Sequence, residues 1–184
     1  MYIAQEINSK EFWESYQQQA WNTCTSVPTC PNYDYLSICL LSETGEVAGK
    51  IQKYIRGDYT DRGQLALDIR LELGDCLWGL FCLSYLLGWG WSIRLHPTPK
   101  IKDEKHLYAE VRYLCLHTGL LLRSADVDLY DKNDLLGRME IIITSLRDIA
   151  DYFGLSLKDI ARINIAKLMD RHKQGKIQGS GDYR

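Results

Sequence analysis

Two pairs of acidic residues sit in stretches of the chain that are otherwise composed for burial. The first is Glu43-Thr44-Gly45-Glu46, inside the apolar run from Leu36 to Val47. The second is Glu72-Leu73-Gly74-Asp75, inside Leu65 to Leu87, with 25 residues between Glu46 and Glu72. In each pair the carboxylates are three residues apart, so on a helix they lie one above the other on the same face. Two such faces packing inward gather four buried or half-buried carboxylates, which is costly unless a cation neutralises them. Oxygen-only ligands favour magnesium, with manganese as the alternative, over zinc. The pattern points to a helical fold built around a divalent-metal site.

The rest of the chain reads as helix in the same way. Ser9 is a plausible N-cap for a helix running to about Thr23, and Thr25 to Asn32, with Pro28 and Pro31, reads as a loop. Leu36, Leu40, Val47, Ile51 and Ile55 recur at helical spacing and define a second helix from Tyr33 to about Ile55, ended by Gly57 and Asp58. A third, Gln64 to Leu87, is too apolar for an exposed helix and is expected to be buried on several sides. After a linker from Trp89 to Lys105 with Pro97 and Pro99, helices are predicted over His106 to Arg123 and Leu135 to Phe153. The stretch Ser124 to Asp134 between them is turn-rich, and Gly154 is the expected C′ residue of the second. Ser156 caps a last helix, Leu157 to about Lys173, whose basic end suits the helix dipole. Gly175 to Arg184 form a glycine-containing tail, and no segment alternates as a strand would. The predicted fold class is all-α.

At 184 residues the chain is expected to form a single domain with a real core. A formal net charge of -2 gives no basic footprint for nucleic acid. The six cysteines form no C-x-x-C pair; Cys39, Cys76, Cys82 and Cys115 lie in apolar helical runs as small hydrophobes. Cys24 and Cys30 bracket the proline-containing loop and could pair under oxidation, but the usage as a whole suits a reducing cytoplasm. The N-terminus has no basic region followed by an apolar core, so no signal peptide is expected. Cys76 to Ile93 is free of charge over eighteen residues, at the lower limit for a membrane span. Glu72 and Asp75 at its start and Gly88-Trp89-Gly90-Trp91 at its end favour a buried core helix instead.

The run Ser42-Glu43-Thr44-Gly45-Glu46-Val47-Ala48-Gly49-Lys50, followed by Glu72-Leu73-Gly74-Asp75-Cys76-Leu77-Trp78, resembles the MazG-like nucleoside triphosphate pyrophosphohydrolases of the all-α superfamily. Their pattern is E-x-x-E, a variable gap, then E-x-x-D. Asn164-Ile165-Ala166-Lys167-Leu168, Arg171 and Gly179-Ser180-Gly181-Asp182-Tyr183-Arg184 are similar to the closing N-x-x-K-L, R and GSGD-x-R run of that family. The resemblance implies Mg²⁺-dependent hydrolysis of (deoxy)nucleoside triphosphates to monophosphate and pyrophosphate. It implies that Glu43, Glu46, Glu72 and Asp75 ligate the metal and carry catalysis, with a general base among them or beside them.

Lys167 and Arg171 are one turn apart on one helix face, with Asn164 a turn earlier, and would grip phosphate oxygens as point charge and fork. Without the acidic site they would read instead as a solvated basic helix end; with it, phosphate contact is the favoured reading. The acids too have a plain alternative, as surface pairs of Glu43 and Glu46 with Lys50 or Lys53, and of Glu72 and Asp75 with Arg70. That alternative explains each doublet singly, but not both together with the C-terminal run. Trp21 and Trp78 are candidate stacking platforms for the base, although aromatic residues at such spacing are commonly core. His117 and His172 lack partners at metal-ligand spacing.

The chain departs from the family pattern between residues 89 and 147, an inserted helical segment. His117-Thr118-Gly119-Leu120 falls 74 residues after Glu43-Thr44-Gly45-Glu46, and Ser145-Leu146-Arg147-Asp148 falls 73 after the second doublet. The insert reads either as a degenerate repeat of the acidic hairpin, with three of its four acids gone, or as chance similarity between amphipathic helices. Simple members of the family pair two chains to complete a four-helix core. A homodimer is therefore expected, with a monomer paired internally as the alternative. Expected partners are a nucleoside triphosphate, with neither nucleic acid nor membrane, and the expected role is house-cleaning of the nucleotide pool. A narrower substrate such as dUTP, dCTP or an alarmone, and a catalytically silent nucleotide sensor, are the competing readings. Four mutually repelling carboxylates argue against the last.

Overall fold

The computed structural model describes residues 10–90, 94–123 and 131–174, and among these it contains six helices and no strand. They are α1 (Lys10–Thr25), α2 (Tyr33–Arg56), α3 (Arg62–Leu86), α4 (Glu104–Arg123), α5 (Lys132–Tyr152) and α6 (Leu157–Lys173). Each boundary has a local cause. The side chains of Asn32, Asp61, Asp131 and Ser156 accept backbone N–H bonds at the starts of α2, α3, α5 and α6. Gly57 (φ 87°) and Gly154 (φ 70°) take the left-handed conformation that closes α2 and α5. Ser9 lies outside the described residues, as do Trp91 and the tail from Gly175 to Arg184.

The expectation that α3 is enclosed on several sides holds. It packs on α1, α2, α5 and α6, and Leu65, Ile69, Leu73, Leu77, Leu80, Phe81 and Leu83 are all inaccessible. Trp13 of α1 stacks on Phe81 at 5.4 Å, and Tyr16 meets the same ring edge-on at 5.0 Å. Burial of one such ring contributes about 1.5–3 kcal/mol. Leu40 of α2 lies over Gly79 of α3, 3.5 Å from where a Cβ would stand, so the hairpin closes backbone to side chain. No described helix is long and apolar enough to cross a membrane.

The α4–α5 hairpin packs against the α2–α3 hairpin as a second pair: α2 on α4, and α3 on α5. The α2–α4 contact is antiparallel, with the Tyr33 hydroxyl donating to the Leu121 carbonyl at one end and Tyr54 to Glu104 at the other. Midway, the Cys115 thiol faces the Thr44 carbonyl at 3.8 Å. Four helices thus close a ring within one chain, and α1 and α6 cover the outer side of α3.

The linker ahead of α4 is fastened along α5. Glu140 accepts from Arg94 N at 3.1 Å, Thr144 Oγ1 from His96 N at 3.1 Å, and Asp148 from Thr98 Oγ1 at 2.7 Å. These acceptors are four residues apart and so lie along one stripe of α5. Arg147 completes the clasp by donating to the His96 carbonyl, to Thr98 and to Asp148. All six cysteines are free thiols, Cys24 and Cys30 included.

Candidate active site

Antiparallel packing of α2 on α3 brings the two acidic doublets together. Carboxylate oxygens of Glu43, Glu46 and Glu72 lie within 4.8 Å of one another. Their burial differs: Glu72 is 1% exposed, Glu43 and Asp75 are half-buried, and Glu46 is exposed. The expectation that all four acids would be at least half-buried is corrected at Glu46, which stands on the solvent edge of α2. Burial, followed by the charges of Asp75, Glu46 and Glu72, pushes the Glu43 carboxyl up to about 7, against an opposing pull from Lys167. The Cys39 thiol, one turn before Glu43, faces Glu43 Oε1 at 3.9 Å, and burial and that carboxylate hold it protonated, its pKa raised to about 12.

Asp75 is not one of that trio, though its charge acts on Glu43 more strongly than those of Glu46 and Glu72, and it has partners of its own. Lys167 Nζ from α6 reaches its two oxygens at 2.8 and 2.6 Å, and Asn164 Nδ2 donates to Oδ1 at 2.7 Å. Asn164 in turn accepts the Tyr16 hydroxyl of α1 at 3.1 Å. The approach of α6 depends on Gly74, since a Cβ there would stand 3.0 Å from Asn164 Cβ. Arg171, one turn beyond Lys167, has no hydrogen bond or ion pair among the described residues. A shallow crevice lined by Arg70, Leu71, Gly74, Ile163, Asn164 and Lys167 runs between α3 and α6. Helices α2 and α6 both pack on α3 and not on each other, and α3 turns Glu72 to Lys50 of α2 and Asp75 to Lys167 of α6.

The i, i+4 pairing of Lys50 with Glu46 does not form. Lys50 crosses the hairpin to Glu72 at 3.0 Å, with Asp68 at 4.0 Å behind it. Burial of Lys50 would lower its pKa, but the bond and attraction to Glu72 outweigh this and hold it above the ordinary lysine value. Arg70, the other sequence candidate for pairing with Glu72 and Asp75, makes neither contact. Asp68 is itself fixed by the Tyr59 hydroxyl and Gln64. Lys50 was visible in the sequence, seven residues after Glu43 and so on the same helical face. Tyr16 carried no such signal.

Of the two tryptophans, Trp78 stands one turn after Asp75 with its indole N–H donating to Thr23 Oγ1 at 2.9 Å. Trp21 has one face taken by Tyr85, stacked at 4.7 Å. Among the described residues neither His117 nor His172 belongs to the carboxylate cluster; the half-buried His117 packs on Tyr113, and burial and Arg138 lower its pKa.

The donor set fits a hard divalent cation. It is all oxygen, three of its carboxylates converge, and repulsion from Asp75, Glu46 and Glu72 adds to burial in raising Glu43. Residues 32–91, from the cap of α2 to just past α3, match the family described as the MazG nucleotide pyrophosphohydrolase domain. No curated protein and no solved structure matches the chain. The hairpin that carries all four acids is MazG-like, and α1, α4, α5 and α6 lie outside the matched segment.

Proposed function

We propose that this MazG-like chain is a Mg²⁺-dependent hydrolase that splits (deoxy)nucleoside triphosphates into monophosphate and pyrophosphate. The observation that carries the reading is the convergence of Glu43, Glu46 and Glu72 on a matched MazG hairpin, with Asp75 and Lys167 at its edge. Glu43, Glu46, Glu72 and, once Lys167 lets go, Asp75 would hold magnesium or manganese. The cation would neutralise phosphate charge and acidify water for attack on phosphorus.

The chain's own groups do the rest. Lys50 gives the buried Glu72 a positive partner at 3.0 Å from across the hairpin. Lys167 and Arg171 take the phosphate oxygens, Lys167 exchanging one anion, Asp75, for another. Trp78, pinned by Thr23 a turn away from Asp75, offers a face to the base, whereas Trp21 is committed to Tyr85. The role is removal of unwanted nucleotides from the pool, in the cytoplasm.

The α4–α5 hairpin takes within one chain the place that a partner hairpin would take in a dimer. Its contacts support this: α2 meets α4 and α3 meets α5, as exchange of the two hairpins about a twofold axis requires. Residues 89–147 are then an insertion in a single domain rather than a domain of their own. Light scattering at micromolar concentration is expected to give a monomer.

Incubation with single NTPs and dNTPs plus Mg²⁺ tests the activity. At least one is expected to yield monophosphate and pyrophosphate, with Glu46→Gln reducing the rate by at least about a hundredfold. Absence of product from every nucleotide, with Glu46→Gln indistinguishable, overturns the reading.

A further inference from the structure

Asn164 is 3% exposed and Tyr16 2% exposed, so neither offers a surface to a nucleotide. Both are nevertheless polar, and both are spent on Asp75. The Tyr16 hydroxyl donates to Asn164 Oδ1, which leaves Asn164 Nδ2 to donate to Asp75 Oδ1. Reversal of the amide would aim its carbonyl oxygen at a carboxylate in a buried setting, where an unfavourable polar contact is expensive. Burial, with smaller contributions from Cys82 and Asp75, raises the Tyr16 pKa well above its ordinary value, so the hydroxyl keeps its proton. Gly74 adds a third, independent observation. Its missing side chain is the space that Asn164 occupies, directly beside Asp75 in sequence.

We infer that Tyr16 and Asn164 are positioning residues for Asp75, a relay from α1 through α6 that fixes Oδ1 and leaves Oδ2 held by the movable Lys167 alone. This deepens the metal reading above and rests on it. It also removes Asn164 from the group that touches substrate and assigns it to the support of a ligand. Lys167 and Asn164 share the face that meets Asp75, but Lys167 is 22% exposed at its side chain and can turn to an incoming anion. Asn164 is enclosed by Tyr16 and Gly74 and stays. Outer partners of this kind usually govern metal affinity by ten- to a hundredfold.

The test is direct Mn²⁺ binding to the intact protein by electron paramagnetic resonance, beside nucleotide hydrolysis as a function of Mg²⁺. Tyr16→Phe is expected to weaken Mn²⁺ binding about three- to tenfold, the equivalent of one hydrogen bond. The Mg²⁺ concentration for half-maximal rate should rise in step, with a smaller change in KM for nucleotide. Asn164→Ala should weaken Mn²⁺ by about ten- to a hundredfold. Gly74→Ala, which removes no polar group, should shift affinity in the same direction by displacing Asn164. Tyr33→Phe deletes a comparable hydroxyl, the one bonded to Leu121, and should leave Mn²⁺ affinity unchanged. Wild-type affinity in both Tyr16→Phe and Gly74→Ala overturns the inference, whatever their thermal stability. If the wild type binds Mn²⁺ with this dependence yet hydrolyses nothing, the relay stands and the proposed activity falls. Failure of the wild type to bind Mn²⁺ removes both.

Discussion

Lys167 closes on both carboxylate oxygens of Asp75, the acid whose charge acts most strongly on Glu43. A cation bound by all four acids and the lysine compete for the same two oxygens. On the proposed function the lysine's alternative partner is a phosphate, so metal and nucleotide should help each other to bind. Lys167→Met is expected to tighten Mg²⁺ binding to the nucleotide-free protein by about two- to fivefold, the worth of a half-exposed pair. In the same variant KM for the triphosphate should rise by tenfold or more, because a charge-assisted phosphate contact is lost. Titration calorimetry for metal and steady-state kinetics for nucleotide measure the two sides. A loss of metal affinity in Lys167→Met would mean that the lysine supports the ligand instead of competing for it.

The Glu43 carboxyl, raised to about 7, sets a pH dependence with a defined sign. In the unfolded chain the group loses its proton near its ordinary value of 4.5, whereas in the folded, metal-free protein it keeps it to about 7. Between these values the folded state binds more protons, so stability falls as pH rises through the window. Metal reverses the trend, because only the carboxylate ligates. The metal-free melting temperature should therefore decline from pH 5 to pH 7.5, and the increment added by Mg²⁺ should grow over the same range. Glu43→Gln should flatten the first slope, which separates this group from the histidines. Calorimetry at pH 6 in two buffers of different ionisation enthalpy should show release of up to about one proton per metal bound.

The helices were legible because each has a period of apolar residues and a start or stop written in one or two side chains. Ser156, Gly57 and Gly154 do at their places what their residue types predict. The two acidic doublets were legible for the same reason, since i, i+3 spacing survives any packing arrangement. Lys50 was misplaced because helical spacing favoured Glu46, whereas a fully buried Glu72 on the next helix needs a cation far more than an exposed Glu46 does. Tyr16 could not be read at all: its partner Asn164 is 148 residues away, and no local pattern marks a hydroxyl that will meet an amide across two helices. The linker clasp was equally hidden, because Thr98 and Asp148 belong to no shared period.

That clasp yields a prediction about the second hairpin. Asp148 occupies the position on α5 that Asp75 occupies on α3 if the hairpins are repeats. Asp75 takes its partners from α6, whereas Asp148 takes Thr98 from the linker and Arg147 from its own helix. Ser145, at the place of Glu72, donates to Glu110 at 2.5 Å. The second hairpin therefore spends its polar groups on structure. Asp148→Ala should destabilise the fold by about 1–3 kcal/mol in urea unfolding through the loss of these bonds. Its Mn²⁺ stoichiometry and kcat should remain those of the wild type, while Asp75→Ala should lose hydrolysis with a smaller loss of stability. Reduced Mn²⁺ stoichiometry in Asp148→Ala would show that the second hairpin holds a metal of its own.

Lys50 offers the sharpest separation of a structural role from a ligand-supporting one. Glu72 is 1% exposed, and Lys50 meets it at 3.0 Å from across the hairpin while keeping 18% exposure itself. Lys50→Met removes the cation but keeps most of the volume, so the cost arises from charge and not from a cavity. Removing one partner of a buried pair costs about 3–5 kcal/mol, and the partial exposure of Lys50 places the loss toward the low end. A divalent cation at Glu43, Glu46 and Glu72 supplies the missing positive charge, so Mg²⁺ should restore more stability to Lys50→Met than it adds to the wild type. At a hundred times its dissociation constant a ligand stabilises by about 2.7 kcal/mol, enough to recover most of the loss if Glu72 becomes a stronger ligand once freed from Lys50. Lys50→Arg should be close to wild type without metal, because it keeps the charge. Thermal unfolding of the three proteins with Mg²⁺, with Ca²⁺ and with chelator measures this directly. Equal Mg²⁺ increments in Lys50→Met and wild type would mean that the cation does not reach Glu72, which would remove Glu72 from the metal-binding set.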